Sequence, residues 1–240
     1  MKVLILNSGK GTRMGDLTKT HPKCMTNIID GETIISLQLK SILKANLNDI
    51  IITTGYFDDV LIEYIDSLNL PLNITFVKNP IYDQTNYIYS IYCAKDYLND
   101  DIILMHGDLV FDYKVLSGMI DAGYSCMKVS STLPIPDKDF KAVISNNQVK
   151  AVGVEFFDNV MEAQALYKLK KDDWNVWLNE IIAFCDKGLT NCYAENAFNN
   201  VSDKCKIFAY DVKDLLCTEI DNPEDLHKVN LIINNDIMRN

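Results

Sequence analysis

The 240-residue sequence predicts an α/β fold in which a mixed but mostly parallel central sheet is flanked by helices, and three observations carry that expectation. Short, continuously apolar runs at residues 3–6, 49–54 and 101–105 have the character of strands buried on both faces. Stretches with apolar residues at helical spacing lie between them, so strand and helix alternate. The first strand runs straight into a loop holding Gly9, Gly11 and Gly15, the placement that ligand-binding loops take in open α/β sheets.

In order, residues 32–45 place Ile34, Ile35, Leu37, Leu39, Ile42 and Leu43 on one broad helical stripe, residues 56–68 read as a second helix, and residues 72–77 alternate as a strand. That order, β-loop-α-β-α-β, is Rossmann-like. Residues 78–92 open with Asn79, Gln84, Thr85 and Asn86 and pass into a helix bearing Ser90, which puts amide and hydroxyl groups at a helix start where Thr85 suits an N-cap. The strand at 101–105 ends in His106-Gly107-Asp108, where the histidine reads as loop support. Residues 125–154 predict at least two strands around the hairpin signal Asn146-Asn147. A helix over residues 172–187, with Asp172 or Asp173 as its cap and Gly188 beyond it, carries Trp174 and Trp177 at a spacing that favours core over an exposed cage. A strand at 207–212 and a terminal helix opened by Pro223, Glu224 and Asp225 complete the chain.

This length is enough for one domain over residues 1–240. A net charge of −10 without a basic patch argues against nucleic acid as a partner. Seven scattered cysteines, never spaced C-x-x-C, give neither a zinc site nor a disulfide framework and suit a reduced compartment. No apolar run approaches a membrane span and the chain starts on a strand, so a cytoplasmic protein is the default expectation.

The glycine loop suits phosphate. Glycines let successive N–H groups converge on an anion, and Lys10, Arg13 and Lys23 add full charges. Two familiar phosphate motifs fail: the Gly9-Lys10 pair is followed by Gly11 rather than a hydroxyl, and the glycines are spaced G-x-G-x-x-x-G rather than G-x-G-x-x-G. Asp108, after a glycine at a strand's carboxyl end, sits where Mg²⁺ could take carboxylate and phosphate oxygens.

The pattern G-x-G-T-R-M followed by P-K resembles the signature of the nucleotidyltransferases that join an NTP to a phosphorylated acceptor, the sugar-1-phosphate nucleotidyltransferases and their cytidylyltransferase relatives. T-N-x-I-Y-S at Thr85–Ser90, Gly107-Asp108, and E-I-D-N-P-E-D-L from Glu219 extend the resemblance over nearly the whole chain. It implies a triphosphate wrapped by Leu6, Ser8, Gly9, Lys10, Gly11 and Thr12, with Arg13 and Lys23 as the catalytic cations. Asn79, Thr85, Asn86 and Ser90 would read the base, and Asp108 and Asp221 would hold Mg²⁺. T-N-x-I-Y-S is similar to the subgroup that uses CTP with phosphocholine, phosphonates or phosphoglutamine, although Tyr87 stands where that subgroup would have Asn.

By the same resemblance, residues 1–112 and 205–240 form a nucleotide- and metal-binding core, and 113–204 a small acceptor-binding insertion. Lys141, Lys168, Glu195, Asn196 and Asn199 are its candidate contacts to a small phosphorylated acceptor. The implied reaction is CMP transfer with release of pyrophosphate, in the setting of capsule or cell-envelope decoration. The alternatives are a sugar-1-phosphate enzyme using dTTP, UTP or GTP, disfavoured by the missing Gln-Gly base signature, and a non-catalytic nucleotide-binding regulator. Members of the family often form homodimers, and the sequence leaves the oligomeric state open.

Overall fold

The computed structural model describes residues 1–237. In chain order its elements begin with β1 (Lys2–Leu6), β2 (Asn27–Ile29), β3 (Glu32–Thr33), α1 (Ile34–Lys44), β4 (Asp49–Thr54), α2 (Asp58–Ser67), β5 (Asn73–Lys78) and α3 (Tyr87–Ala94). Then come β6 (Ile102–His106), β7 (Leu109–Phe111), α4 (Tyr113–Asp121), β8 (Cys126–Ser130), β9 (Lys141–Ser145), β10 (Gln148–Gly153) and β11 (Val160–Leu169). The chain closes with α5 (Lys171–Asp186), α6 (Ala194–Val201), β12 (Phe208–Asp211), β13 (Cys217–Glu219) and α7 (Pro223–Ile237).

Nine strands make one sheet in the order β5-β4-β1-β6-β11-β8-β12-β10-β9. Its first half is parallel, with Leu6 opposite both Thr53 and His106, so β1, β4 and β6 end together on one edge. The expectation of a mostly parallel sheet holds only there. Beyond β6 the pairings of β11, β10 and β9 are antiparallel, and β8 with β12 is the one parallel pair of that half. The reason is local: Asn146 and Asn147, both at positive φ (51° and 61°), make a two-residue hairpin from β9 to β10, whereas β1, β4 and β5 are joined through helices. The segment expected as a small insertion is also part of the sheet itself, since β11 lies between β6 and β8.

Alternation along β1 sends Val3 and Ile5 to one face and Leu4 and Leu6 to the other. Helices α1, α2 and α4 cover the first face, and α3, α5 and α6 the second. Trp174 and Trp177 are fully buried in the second core, and their indole N–H groups donate to the Leu98 and Ala194 carbonyls at 3.0 and 2.9 Å, so both are core residues. Burial of each such large side chain contributes about 1.5–3 kcal/mol. A third cluster, with Met14, Val110, Ile220 and Val229, packs α7 against the glycine loop.

The caps of α3 and α5 differ from expectation, by one residue at α3 and by two or three at α5, where Lys170 holds the N-cap position. Asn86 rather than Thr85 caps α3, its Oδ1 accepting from the Tyr87 N–H at 2.7 Å. Helix α5 has no side-chain cap; Asp172 and Asp173 lie in its first turn, where Asp173 instead accepts from Ser125 and from the Lys206 N–H. Glu195, Asn196 and Asn199 lie on α6, which buries Phe198 in the core.

Candidate active site

The edge where the parallel strands end holds a cavity of about 390 Å³. After β1 the chain turns at Gly11, whose φ of 64° favours glycine, and a Cβ there would press on the Lys23 Cβ at 3.0 Å. Tight 3₁₀ turns over Thr12–Thr18 and Lys23–Met25 then fold Arg13 and Lys23 back toward the cavity. The opposite wall comes from the end of β6, where the following Gly107 brings its backbone so close to Asn7 that a Cβ would stand 1.7 Å from Asn7 Oδ1.

Asp108 and Asp221 are distant in sequence but adjacent in space. β7 and β13 pair antiparallel with Leu109 opposite Glu219, and the Ile220 N–H donates to the Asp108 carbonyl at 3.0 Å. Lys23 Nζ sits between the two carboxylates, 2.5 Å from Asp108 Oδ2 and 2.6 Å from Asp221 Oδ1, and Arg13 reaches the same Asp221 oxygen at 2.8 Å. Burial works against the Lys23 charge, but Asp108 and Asp221 outweigh it and hold the ammonium above the ordinary lysine range. Burial likewise opposes the Asp108 carboxylate, and Lys23 with His106 still holds it below its usual range.

All residues expected around the nucleotide line this cavity: Leu6, Ser8, Gly9, Lys10, Gly11 and Thr12 on one side, Asn79, Thr85, Asn86 and Ser90 on the other, with Arg13 and Lys23 over them. Asn79 is buried and locked, its Nδ2 donating to Thr85 Oγ1 and Ser90 Oγ at 3.0 Å each while Oδ1 accepts from the Ile81 N–H. That bond set fixes the polar rim at the start of α3.

A hard divalent cation fits the carboxylate pair. Asp108 and Asp221 already converge on one cation, and Asp108 Oδ1 is buried without a hydrogen-bond partner. The structure adds two groups that sequence reasoning underrated. His106 Nδ1 lies 2.8 Å from Glu219 Oε1, and His106, Asp108 and Glu219 bring ligand atoms within 4.8 Å of one another. Burial would depress the imidazole, yet Glu219 prevails and raises its pKa to about 9. Glu219 belongs to the same E-I-D run as Asp221, and its position at the end of β13, two residues before Asp221, was the available signal.

The acceptor candidates do not gather at the cavity. Lys168 pairs with Ile103 near the start of β6, the far edge of the sheet, and donates to the Ala122 and Tyr124 carbonyls, so it cannot meet a ligand beside Asp108. Lys141 is buried; its Nζ donates to the Pro136 carbonyl at 2.8 Å and lies over the Phe157 ring. Asn199 spends its amide on both backbone groups of Val152, and Asn196 accepts from the Tyr193 N–H. Glu195 is buried beneath Tyr87 and accepts from the Tyr87 and Tyr167 hydroxyls. Tyr87, edge-on to His106 at 4.6 Å, is the member of that group that reaches the cavity.

A parallel half-sheet ending in a glycine loop, with cations facing paired aspartates, defines a phosphate-handling α/β protein. Residues 2–130 match the nucleotidyl transferase family, and the chain belongs to that family. Over 128 residues it is 31% identical to the CTP:phosphoglutamine cytidylyltransferase of Campylobacter jejuni, a match covering 51% of this chain and 49% of that protein. The chain thus spans about half the length of that relative. It is 24% identical to the choline-phosphate cytidylyltransferase of Streptococcus pneumoniae over 98% of this chain and 100% of that one. The solved structure of CTP:phosphocholine cytidylyltransferase from Streptococcus pneumoniae superimposes with a TM-score of 0.77 at 19% identity, covering 97% of this chain and 98% of that one, which shows the shared fold. Among the described residues no helix is long and apolar enough to cross a membrane.

Proposed function

We propose that this protein is a Mg²⁺-dependent cytidylyltransferase that moves CMP from CTP to a small phosphorylated acceptor and releases pyrophosphate. The observation that carries this reading is Lys23 held between Asp108 and Asp221 over the glycine loop. The cytidylyltransferase names of two relatives support CTP as the nucleotide. The names of relatives also support an acceptor from the set of phosphoglutamine, phosphocholine and an aminoalkylphosphonate; a reaction in the cytoplasm that serves capsule or cell-envelope decoration completes the proposal.

In this reading the acceptor's anionic oxygen attacks the α-phosphorus in line and pyrophosphate leaves, with no covalent enzyme intermediate. The nucleophile needs no activation, so the protein's task is to align two mutually repelling anions. Backbone N–H groups of the glycine loop hold the β and γ phosphates, Arg13 steadies the leaving pyrophosphate, and Lys23 stabilises charge on the transferred phosphoryl group. Asp108 and Asp221 would hold Mg²⁺, which supplies charge neutralisation between the two substrates. Asn79, Thr85 and Ser90 present the polar rim against the base. Tyr87, backed by Glu195, forms the wall on the acceptor side.

Pyrophosphate release with Mg²⁺, crossing four NTPs with phosphoglutamine, phosphocholine, 2-aminoethylphosphonate and glucose 1-phosphate, tests the proposal. Turnover with CTP and one amine-bearing acceptor is the expected outcome. Activity confined to glucose 1-phosphate would move the protein to the sugar-phosphate enzymes.

A further inference from the structure

One oxygen, Asp221 Oδ1, serves both cations that the glycine loop and its following turn present, Arg13 at 2.8 Å and Lys23 at 2.6 Å, while Lys23 also holds Asp108 at 2.5 Å. The two pairs differ in setting. The Lys23 side chain is 12% exposed, whereas that of Arg13 is 71% exposed, so Arg13 makes its tie at the mouth of the cavity. Two carboxylates and two cations form a neutral cluster, and the tie spans 208 residues, from the glycine loop to the segment after β13.

Lys23 spends two of its three donors on Asp108 and Asp221, and Arg13 turns a guanidinium nitrogen onto Asp221, so the carboxylates orient both cations and offset their charge before any phosphate arrives. Moving Arg13 and Lys23 onto a triphosphate would leave Asp108 and Asp221 as neighbouring like charges, which is costly in a partly buried site. Moving the carboxylates onto a divalent cation would leave Arg13 and Lys23 uncompensated. Each half-step is opposed, and the two together are balanced. Such coupling is reciprocal: each ligand must strengthen the other's binding by the same factor.

We infer that Asp108 and Asp221 act as a cation store in addition to any role as metal ligands: they release Arg13 and Lys23 to the phosphates only as they themselves take up a divalent cation. The inference rests on the reading that the glycine loop takes a triphosphate. It adds that metal and nucleotide enter as one exchange, and that Asp221 suppresses binding of metal-free triphosphate by sequestering Arg13.

The test is calorimetric binding in EDTA, with inorganic tripolyphosphate and CTP as probes, on wild type, Asp221→Asn, Arg13→Gln and the double variant, each first checked by melting temperature. Asp221→Asn is expected to bind tripolyphosphate about tenfold more tightly than wild type. In the Arg13→Gln background the same substitution is expected to gain about threefold or less. Equal gains in both backgrounds would mean simple removal of a repelling charge and would overturn the exchange, as would no gain in wild type. Asp108→Asn, which frees Lys23 alone, is expected to tighten binding in the same direction if Asp221→Asn folds poorly, and its failure to do so is equally fatal. Tripolyphosphate carries no base, so preference for an NTP other than CTP leaves the result standing. Normal Mg²⁺-dependent CTP binding with no effect of the aspartates removes the exchange alone; absence of any triphosphate binding removes the function proposed above and the exchange with it.

Discussion

In the parallel half of the sheet, charged side chains from distant points of the chain meet over one cavity: Arg13 and Lys23 from the turns after β1, Asp108 from the turn after β6, Asp221 from beyond β13. In the antiparallel half, charged side chains turn inward and end on the protein itself. Lys128 is buried against Glu162 at 2.5 Å, Lys168 ends on two carbonyls, and Lys141 is roofed by Phe157. The same residue types therefore do opposite work. Parallel strands finish together, so their loops can share a ligand, whereas hairpins leave charges to be satisfied within the sheet.

The contrast can be broken most directly at Lys23. Lys23→Ala is expected to lower CMP transfer by about 10²–10³-fold or more, the effect of removing one preorganised donor to transition-state charge, while circular dichroism shows a folded protein. A wild-type rate would detach the cavity from the chemistry. Next in size, Lys168→Met leaves the Ala122 and Tyr124 carbonyls short of a donor and is expected to cost about 1–3 kcal/mol in urea unfolding. Acceptor KM should be unchanged. A raised KM with intact stability would return Lys168 to the ligand.

His106 sharpens the comparison through pH, because it faces Glu219 on one side and Asp108 and the Tyr87 ring on others. Its pKa is held at about 9 against an ordinary 6.5, so the stability it lends is complete below pH 6.5 and is lost as pH rises through 9. In EDTA, the difference in unfolding free energy between wild type and His106→Gln should be on the order of 2 kcal/mol near pH 6 and shrink toward pH 9. A difference that is flat with pH would mean that folding leaves the His106 pKa at its unfolded value.

This division also explains what could be read from the sequence. The strands of the parallel half are continuous apolar runs, and the glycine loop, Lys23 and Asp108 sit at their carboxyl ends, where position alone suggests ligands. Asp221 needed the family resemblance, since nothing local announces that β13 will pair with β7. In the other half the sequence assigns no element to β11, whose ten residues, V-M-E-A-Q-A-L-Y-K-L, mix polar with apolar although nearly all are buried. Glu162 and Gln164 are satisfied by Lys128 and by each other, a compensation visible only once β8 lies alongside. Lys168 resembled a ligand cation for the same reason, since the Ala122 and Tyr124 carbonyls it serves lie more than forty residues away, whereas Lys141 folds back onto the Pro136 carbonyl of its own preceding loop.

The smallest effect falls on Asn196, where the two halves come nearest to sharing a residue. Its place in a polar stretch made it a candidate ligand contact from the sequence, yet Asn196 is exposed and its Oδ1 accepts from the Tyr193 N–H, closing the first turn of α6. That turn also carries Glu195, which fixes the Tyr87 hydroxyl. If Asn196 is only a cap, Asn196→Ala costs about 1 kcal/mol in thermal unfolding and leaves acceptor KM within about twofold, because Glu195 is held independently by Tyr167 at 2.8 Å. If acceptor KM rises about tenfold while stability holds, a loss near 1.4 kcal/mol of binding, then Asn196 touches the acceptor and the division of labour between the two halves fails at that point.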